Sequence, residues 1–446
     1  MRLMTRGWLA TAFLLVALVL PSQAQQAPPT TGFEQNGGAN WTTHAEELAF
    51  LDAVAAGSER VALSEIGRTL EDRPLHLVEI GAPGPHSLEP EPIERPTVLF
   101  VCTQHGNEPA GREACLEWLR DLAFTTDPTL VRQLEEQTIL FVPTANPDGR
   151  AANTRGNADG NDINRDHLNL ETPEAQAIAA IVRDRKPDAV VDLHEFGATP
   201  GVYDDEILYL WPRNLNVDPQ VRQAAKTLAE EYVATGARAN GQRAGEYGRQ
   251  RVPVFDYHIS QTAGDEDEGI ARNLFGLRHA AGLLLETRVG GDPRTGLEDM
   301  TTTAVRQNRR VDTHVQAVAD TLSYMRDHGP TVQFVNESSA SRKTREGAEQ
   351  SAPIYFDGQD DDGTIQGNGD ADPTVVADPP PCGYNLSEAQ LNEVSIAFLL
   401  HGVSYSLLPE GGAFVSLAQP AEPVIPLLVD DRGRRNAIGA DPVMAC

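Results

Sequence analysis

Apolar residues along the chain fall into two rhythms that alternate from residue 97 onward. The first is the unbroken run: 97–102 reads Thr-Val-Leu-Phe-Val-Cys, and 138–143, 189–193 and 282–287 are nearly as continuous. Such runs are what strands buried on both faces require. The second is the helical spacing of 109–123, 173–185 and about 218–234, each lying between two such runs. Strands alternating with helices predict an α/β fold, a mixed central sheet with helices on both faces. Upstream, 60–66 and 73–80 flank a short polar turn and predict an antiparallel hairpin. Downstream, Val311, Val315, Val318 and Leu322 predict a long helix over about 301–327 that closes the domain.

The rhythm changes after His328. Residues 359–372 are Asp, Gly and Gln with almost nothing apolar, Pro379-Pro380-Pro381 precedes Cys382, and the short apolar runs 403–408, 414–417 and 423–429 are separated by Gly and Pro. The expected division is therefore a main domain at 46–328, an acidic, Gly/Pro-rich linker at 329–381 and a small β-rich C-terminal domain at 382–446. At the other end, Arg2 and Arg6 precede an apolar run from Trp8 to Leu20 that ends at Ser22-Gln23-Ala24, which reads as a signal peptide over 1–24. About 20 apolar residues are needed to cross a bilayer, and no stretch supplies them. A secreted or periplasmic protein without a membrane span is expected, with 25–45, rich in Gln, Pro, Thr and Gly, as a flexible lead-in.

A net charge of −29 and the lack of any Lys/Arg cluster exclude nucleic acid as a partner, and the surplus acid reads as solubility. Of the four cysteines, Cys382 and Cys446 lie away from every motif and are expected to pair, closing a loop worth about 4 kcal/mol in the chain-entropy account. Cys102 and Cys115 read as small buried side chains.

The candidate chemistry sits where the runs end. His105-Gly106-Asn107-Glu108 lies between a buried run and a helix, so an imidazole and a carboxylate can aim at one point. His194 ends the run 190–193, and in open α/β sheets ligands bind beyond the carboxyl ends of strands. Two histidines and a carboxylate leave the fourth position of a tetrahedral zinc open, whereas a structural site is closed, usually by Cys. Between them come Asn146-Pro147-Asp148-Gly149, then Arg155, then Asn164-Arg165. One guanidinium can grip a carboxylate and another can stabilise an oxyanion. Glu286 ends a run of three leucines, costly to bury without a partner or a task, and beside activated water it is a natural general base. The acidic stretch 264–268 is either part of the pocket lining or a solvated turn, and the turn is the expected reading.

Together these motifs, in this order, resemble the zinc carboxypeptidases typified by the pancreatic enzymes, over about 46–328, with this chain a bacterial-type secreted member. The resemblance implies one zinc per chain on His105, Glu108 and His194, Glu286 as base, Arg155 polarising the scissile carbonyl, and Asn164 with Arg165 binding the terminal carboxylate of a peptide. It leaves open whether Tyr247 or Tyr257 caps the substrate. Two other functions share parts of the pattern. One is a zinc amidohydrolase or deacylase of the succinylglutamate desuccinylase and aspartoacylase type, which the intact Asn-Pro-Asp-Gly and the export signal count against. The other is a non-catalytic binding protein on the same fold, which the retention of Glu286 and both arginines counts against.

Overall fold

The structure, a computed structural model, describes residues 27–81, 95–198, 203–252, 257–260, 265–292, 302–360, 373–409, 411–435 and 438–446. The expected signal peptide lies outside the described residues. Residues 27–45, expected as a flexible lead-in, are instead packed. A capping box at Thr31 starts α1 (Gly32–Gln35), Phe33 is buried, and the Thr42 backbone N–H and hydroxyl donate to Glu113 at 3.0 and 2.7 Å. A second capping box at Thr43 starts α2 (His44–Gly57). Both boxes are local signals whose weight a Gln/Pro-rich composition hides.

The predicted hairpin forms as β1 (Val61–Arg68) and β2 (Pro74–Ile80), antiparallel. Then come β3 (Thr97–Cys102), α3 (Ala110–Phe124), α4 (Pro128–Glu136), β4 (Thr138–Val142), α5 (Pro147–Ala152), α6 (Pro173–Arg185) and β5 (Ala189–Phe196). The chain continues through β6 (Ile207–Leu210), the contiguous helical stretch of α7 (Pro219–Thr227), a π turn at Leu228–Val233 and α8 (Ala234–Ala239), then β7 (Ala244–Glu246) and a small β8 (Arg249–Val252), β9 (Tyr257–Ser260) hairpin. It returns through α9 (Ala271–Leu277) to β10 (Ala281–Arg288). Eight strands make one mixed sheet in the order β1-β2-β4-β3-β5-β10-β6-β7, with β4, β3, β5 and β10 parallel.

The alternation within β3 shows why its run is unbroken. Val98, Phe100 and Cys102 join Leu116 and Leu119 of α3 on one face, while Leu99 and Val101 join Ile178 and Ile181 of α6 on the other. Both faces are covered, so neither position can be polar.

The long helix, α10 (Thr303–Glu349), overrides the expected boundary at 328. Gly329 and Pro330 look like a stop in sequence, and a proline inside a helix costs about 3 kcal/mol. Contacts on both sides offset that cost. Gly329 leaves room for Pro96, onto which an added Cβ would close to 2.9 Å. Beyond it Val332 is in the core, Asn336 donates to the Asp188 carbonyl at 2.9 Å, and Arg342 pairs with Asp218 at 2.8 Å. The first part of the expected linker is therefore helix.

After the short β11 (Ile354–Tyr355) and β12 (Val376–Ala377) pair, the last region holds β13 (Gly383–Leu386), α11 (Glu388–His401), β14 (Ser406–Leu407), β15 (Ala413–Ser416), α12 (Ile425–Val429) and β16 (Asp441–Val443), with β13 to β16 in one sheet. It is less purely β than expected, because Leu391, Val394 and Phe398 space a buried helical face behind a capping box at Ser387. Cys382 is bonded to Cys446, and Cys102 is bonded to Cys115 rather than lying beside it as a thiol. Leu168, Val221 and Leu274 of the main domain share one apolar cluster with Tyr384, Phe398 and Val415, so the last region is docked on the site-bearing half of the molecule. Among the described residues no helix is long and apolar enough to cross a membrane.

Candidate active site

The parallel strands β3, β5 and β10 deliver their residues to one edge. After β3, Thr103 takes a left-handed φ of 57°, which turns the chain so that His105 and Glu108 face back over the strand ends. Gly106 is forced by a close approach: a Cβ there would lie 1.9 Å from the Gly149 backbone. The Asn146-Pro147-Asp148-Gly149 motif thus braces the histidine loop. Asn146 donates to the Gln104 carbonyl at 3.0 Å, and buried Asp148 pairs with Arg73 at 2.6 Å.

His194, the sixth residue of β5, stands opposite Glu286 of β10 in the register. His105, Glu108 and His194 are all buried, and one ligand atom from each lies within 4.8 Å of the others. The two histidine Nδ1 atoms are 3.0 Å apart and each is 2.9 Å from a Glu108 oxygen. Their outer nitrogens face carboxylates: His194 Nε2 is 2.7 Å from Asp192 and His105 Nε2 is 3.1 Å from Asp162. Protons on those outer nitrogens leave both Nδ1 lone pairs pointing inward, an arrangement that calls for a cation between them. The donor set fits zinc. Burial disfavours the Glu108 charge, yet His105 and His194 hold its carboxyl well below the usual range.

Glu286 is 9 % exposed and its carboxyl is pushed up to about 7, first by burial and then by the Glu108 charge. Arg155 reaches the same space, with Nη1 3.2 Å from His105 Nδ1 and Nη2 2.9 Å from Asp162. Arg165 donates to the Asn164 carbonyl at 2.7 Å. Asn164, expected beside a substrate, lies next to His194. Its amide nitrogen is 3.2 Å from Asp192 and 3.0 Å from His194 Nε2, and its oxygen accepts the Ala271 N–H at 2.8 Å. Its side chain is thereby held against His194 and the start of α9.

Tyr247 stacks on Tyr203 at 5.6 Å, and its phenol is held above its usual range first by burial and then by the Glu286 charge. The Tyr257 side chain lies outside the described residues. In the stretch 264–268, expected as a solvated turn, Glu266, Asp267 and Glu268 are buried and Asp265 is half-buried. Glu266 and Asp267 are ion-paired with Arg434 and Arg435 of the last region, and Arg435 Nη1 also donates to the Arg165 carbonyl at 2.6 Å. Sequence reasoning missed Asp162 and Asp192. For Asp192 a signal existed, a carboxylate inside the apolar run 189–193 two residues before a histidine.

Residues 47–268 match the family described as zinc carboxypeptidase. Carboxypeptidase 2 of Trichophyton rubrum is 29% identical over 278 residues, 60% of this chain and 51% of its own length. Carboxypeptidase SOL1 of Arabidopsis thaliana is 32% identical over 182 residues, 38% of this chain and 36% of its own. The chain therefore spans at most about half the length of these relatives. Among solved structures, a metallo-carboxypeptidase from Pseudomonas aeruginosa aligns with TM-score 0.47 at 20% identity, covering 64% of this chain and 69% of that one. Residues 47–268, which carry every ligand of the metal cradle, form a zinc carboxypeptidase domain.

Proposed function

We propose that the chain is an exported carboxypeptidase that hydrolyses the last peptide bond of peptides, with one zinc per chain on His105, Glu108 and His194. The observation that carries this is the convergence of two imidazole Nδ1 atoms and the Glu108 carboxylate beside Glu286 and Arg155. Zinc, when bound, supplies a Lewis acid that activates water. Glu286, a carboxyl pushed up to about 7, takes the water's proton and hands it to the leaving amine. Arg155, half exposed and anchored by Asp162, offers its guanidinium to the oxyanion. Arg165 pairs with the terminal carboxylate of the peptide. Export is supported by the charged-then-apolar start of the chain and by the Cys382–Cys446 bond, which persists in oxidising compartments.

The test compares release of the last residue from a peptide acid and from its C-terminal amide. A charge-assisted contact to Arg165 contributes about 1.5–3 kcal/mol, so the amide should react about 10- to 100-fold more slowly. Equal rates on the two would defeat the carboxypeptidase reading.

A further inference from the structure

The turn that presents His105 stands on a strained residue. Thr103 is β-branched and holds a left-handed φ of 57°, which for such a residue is a true outlier and persists only where the surroundings over-determine it. Gln104, the next residue, is where they do so. The Asn146 amide holds its backbone carbonyl at 3.0 Å. Its side chain is fully buried, and among the described residues its one hydrogen bond joins Oε1 to His167 Nε2 at 2.7 Å, while its own amide nitrogen has no partner.

His167 is a buried imidazole for which the proposed mechanism has no task, and it is locked in place. Its backbone N–H donates to the Gly269 carbonyl at 3.1 Å, and its ring meets Phe275 of α9 edge-on at 5.6 Å. It lies two positions after Arg165, in the segment whose Asp162 faces His105 Nε2. Gln104 Oε1 can only accept, so His167 Nε2 carries the proton. Burial pushes the imidazole below its usual range, so it holds Gln104 as a neutral donor and places no positive charge behind the metal ligands. One residue thus has two separable links. Its main chain fastens the 265–270 loop beside Arg165, and its ring fastens the residue before His105.

We propose that His167 is a positioning residue that fixes the aim of His105 through Gln104, so that the metal loop is held by the same segment that carries Arg165. The inference rests on the zinc carboxypeptidase reading for its metal and its reaction. A histidine that only filled space would change stability alone. One that aims a ligand changes zinc affinity and turnover, and it leaves the grip on substrate as it was, because the main-chain bond to Gly269 survives any change of side chain.

The experiment takes the full chain as wild type, His167→Leu, Gln104→Met and His167→Gln. It reads zinc affinity by competition with a chromogenic chelator, kcat and KM on one peptide acid, and melting temperature as the check of folding. His167→Leu and Gln104→Met remove the bond from either side, and each should lower zinc affinity about tenfold and kcat about tenfold or more, with KM within about twofold. His167→Gln, whose amide can donate to the same oxygen, should stay within about threefold of wild type in affinity and kcat. Wild-type affinity and kcat in folded His167→Leu or Gln104→Met overturns the inference, as does a loss that falls on KM instead, or a His167→Gln as impaired as His167→Leu. If only His167→Gln folds, the bond is a requirement of folding and the positioning role falls with it. A wild type that holds zinc but releases nothing from the peptide defeats the carboxypeptidase reading and leaves the zinc affinities to decide the inference. A wild type that holds no zinc defeats both.

Discussion

The ligand-bearing edge of the sheet and the loop that faces it are secured in different ways. His194 and Glu286 ride on β5 and β10 and His105 follows the end of β3, all three parallel strands buried on both faces, with Glu286 directly opposite His194 in the register. The loop at 265–270, next to Arg165, is held by Arg434 and Arg435, 168 positions away in the chain. The contrast separates two jobs. The proposed chemistry is anchored by the sheet itself, and the loop beside Arg165 by a region later in the chain.

The sharpest way to break that division is at the sheet edge. In His194→Ala two protein ligands remain, too few to hold zinc tightly, and metal and activity should vanish together. Stoichiometric zinc in the purified variant would refute the ligand assignment. Glu286→Gln should keep the metal and lose about 100-fold or more in turnover, the scale of general acid–base catalysis. The carboxyl is raised to about 7, so its basic form is lost as pH falls through that value, and a bound cation moves the limb down, not up. The wild-type rate should accordingly decline on acidification, and the residual rate of Glu286→Gln should lack that limb. A variant with the same acid limb would leave Glu286 a structural acid. The mildest change is at the brace. Arg435→Met removes the links to Asp267 and the Arg165 carbonyl, part-exposed contacts worth about 1 kcal/mol, and should raise KM about fivefold with zinc content intact. Arg183→Ala, which breaks only an exposed pair with Asp184, is the matched control. Loss of zinc in Arg435→Met would show that the brace supports the metal cradle as well.

The same contrast explains what could be read from the sequence. Strand-borne groups announce themselves, because a run such as 98–102 is apolar where both faces are covered, and a polar residue within or at the end of such a run stands out. His194 and Glu286 were legible for that reason, His105 and Glu108 because a His and a Glu three apart follow the end of such a run, and the elements from β3 to β10 that carry or precede them fall close to where the spacing put them. The contacts of Asn164 with Asp192 and His194 were not, because nothing local in sequence ties an amide to a strand about thirty residues on. The acidic stretch 264–268 misled in the opposite sense. Charge predicts solvent unless a partner is known, and Arg434 and Arg435 leave no mark near it. The boundary at 328 failed because Gly329 and Pro330 carry the local signature of a helix end, while the contacts that override it, to Asp188 and Asp218, are distant in sequence.

Helix α10 is where those distant contacts meet, and it constrains the chain in a way that composition does not show. Near its start, Arg310 pairs with Glu195 and His314 reaches the His194 carbonyl at 3.0 Å. Near its end, Gly347 lies against the Leu417 backbone of the last region. Between the two, each residue added or removed would turn everything beyond it by about 100° and shift it by about 1.5 Å. Side chains along this rod can change one at a time at modest cost. Its length cannot, so insertions and deletions that the surface loops would absorb should be purged here throughout the lineage of this protein.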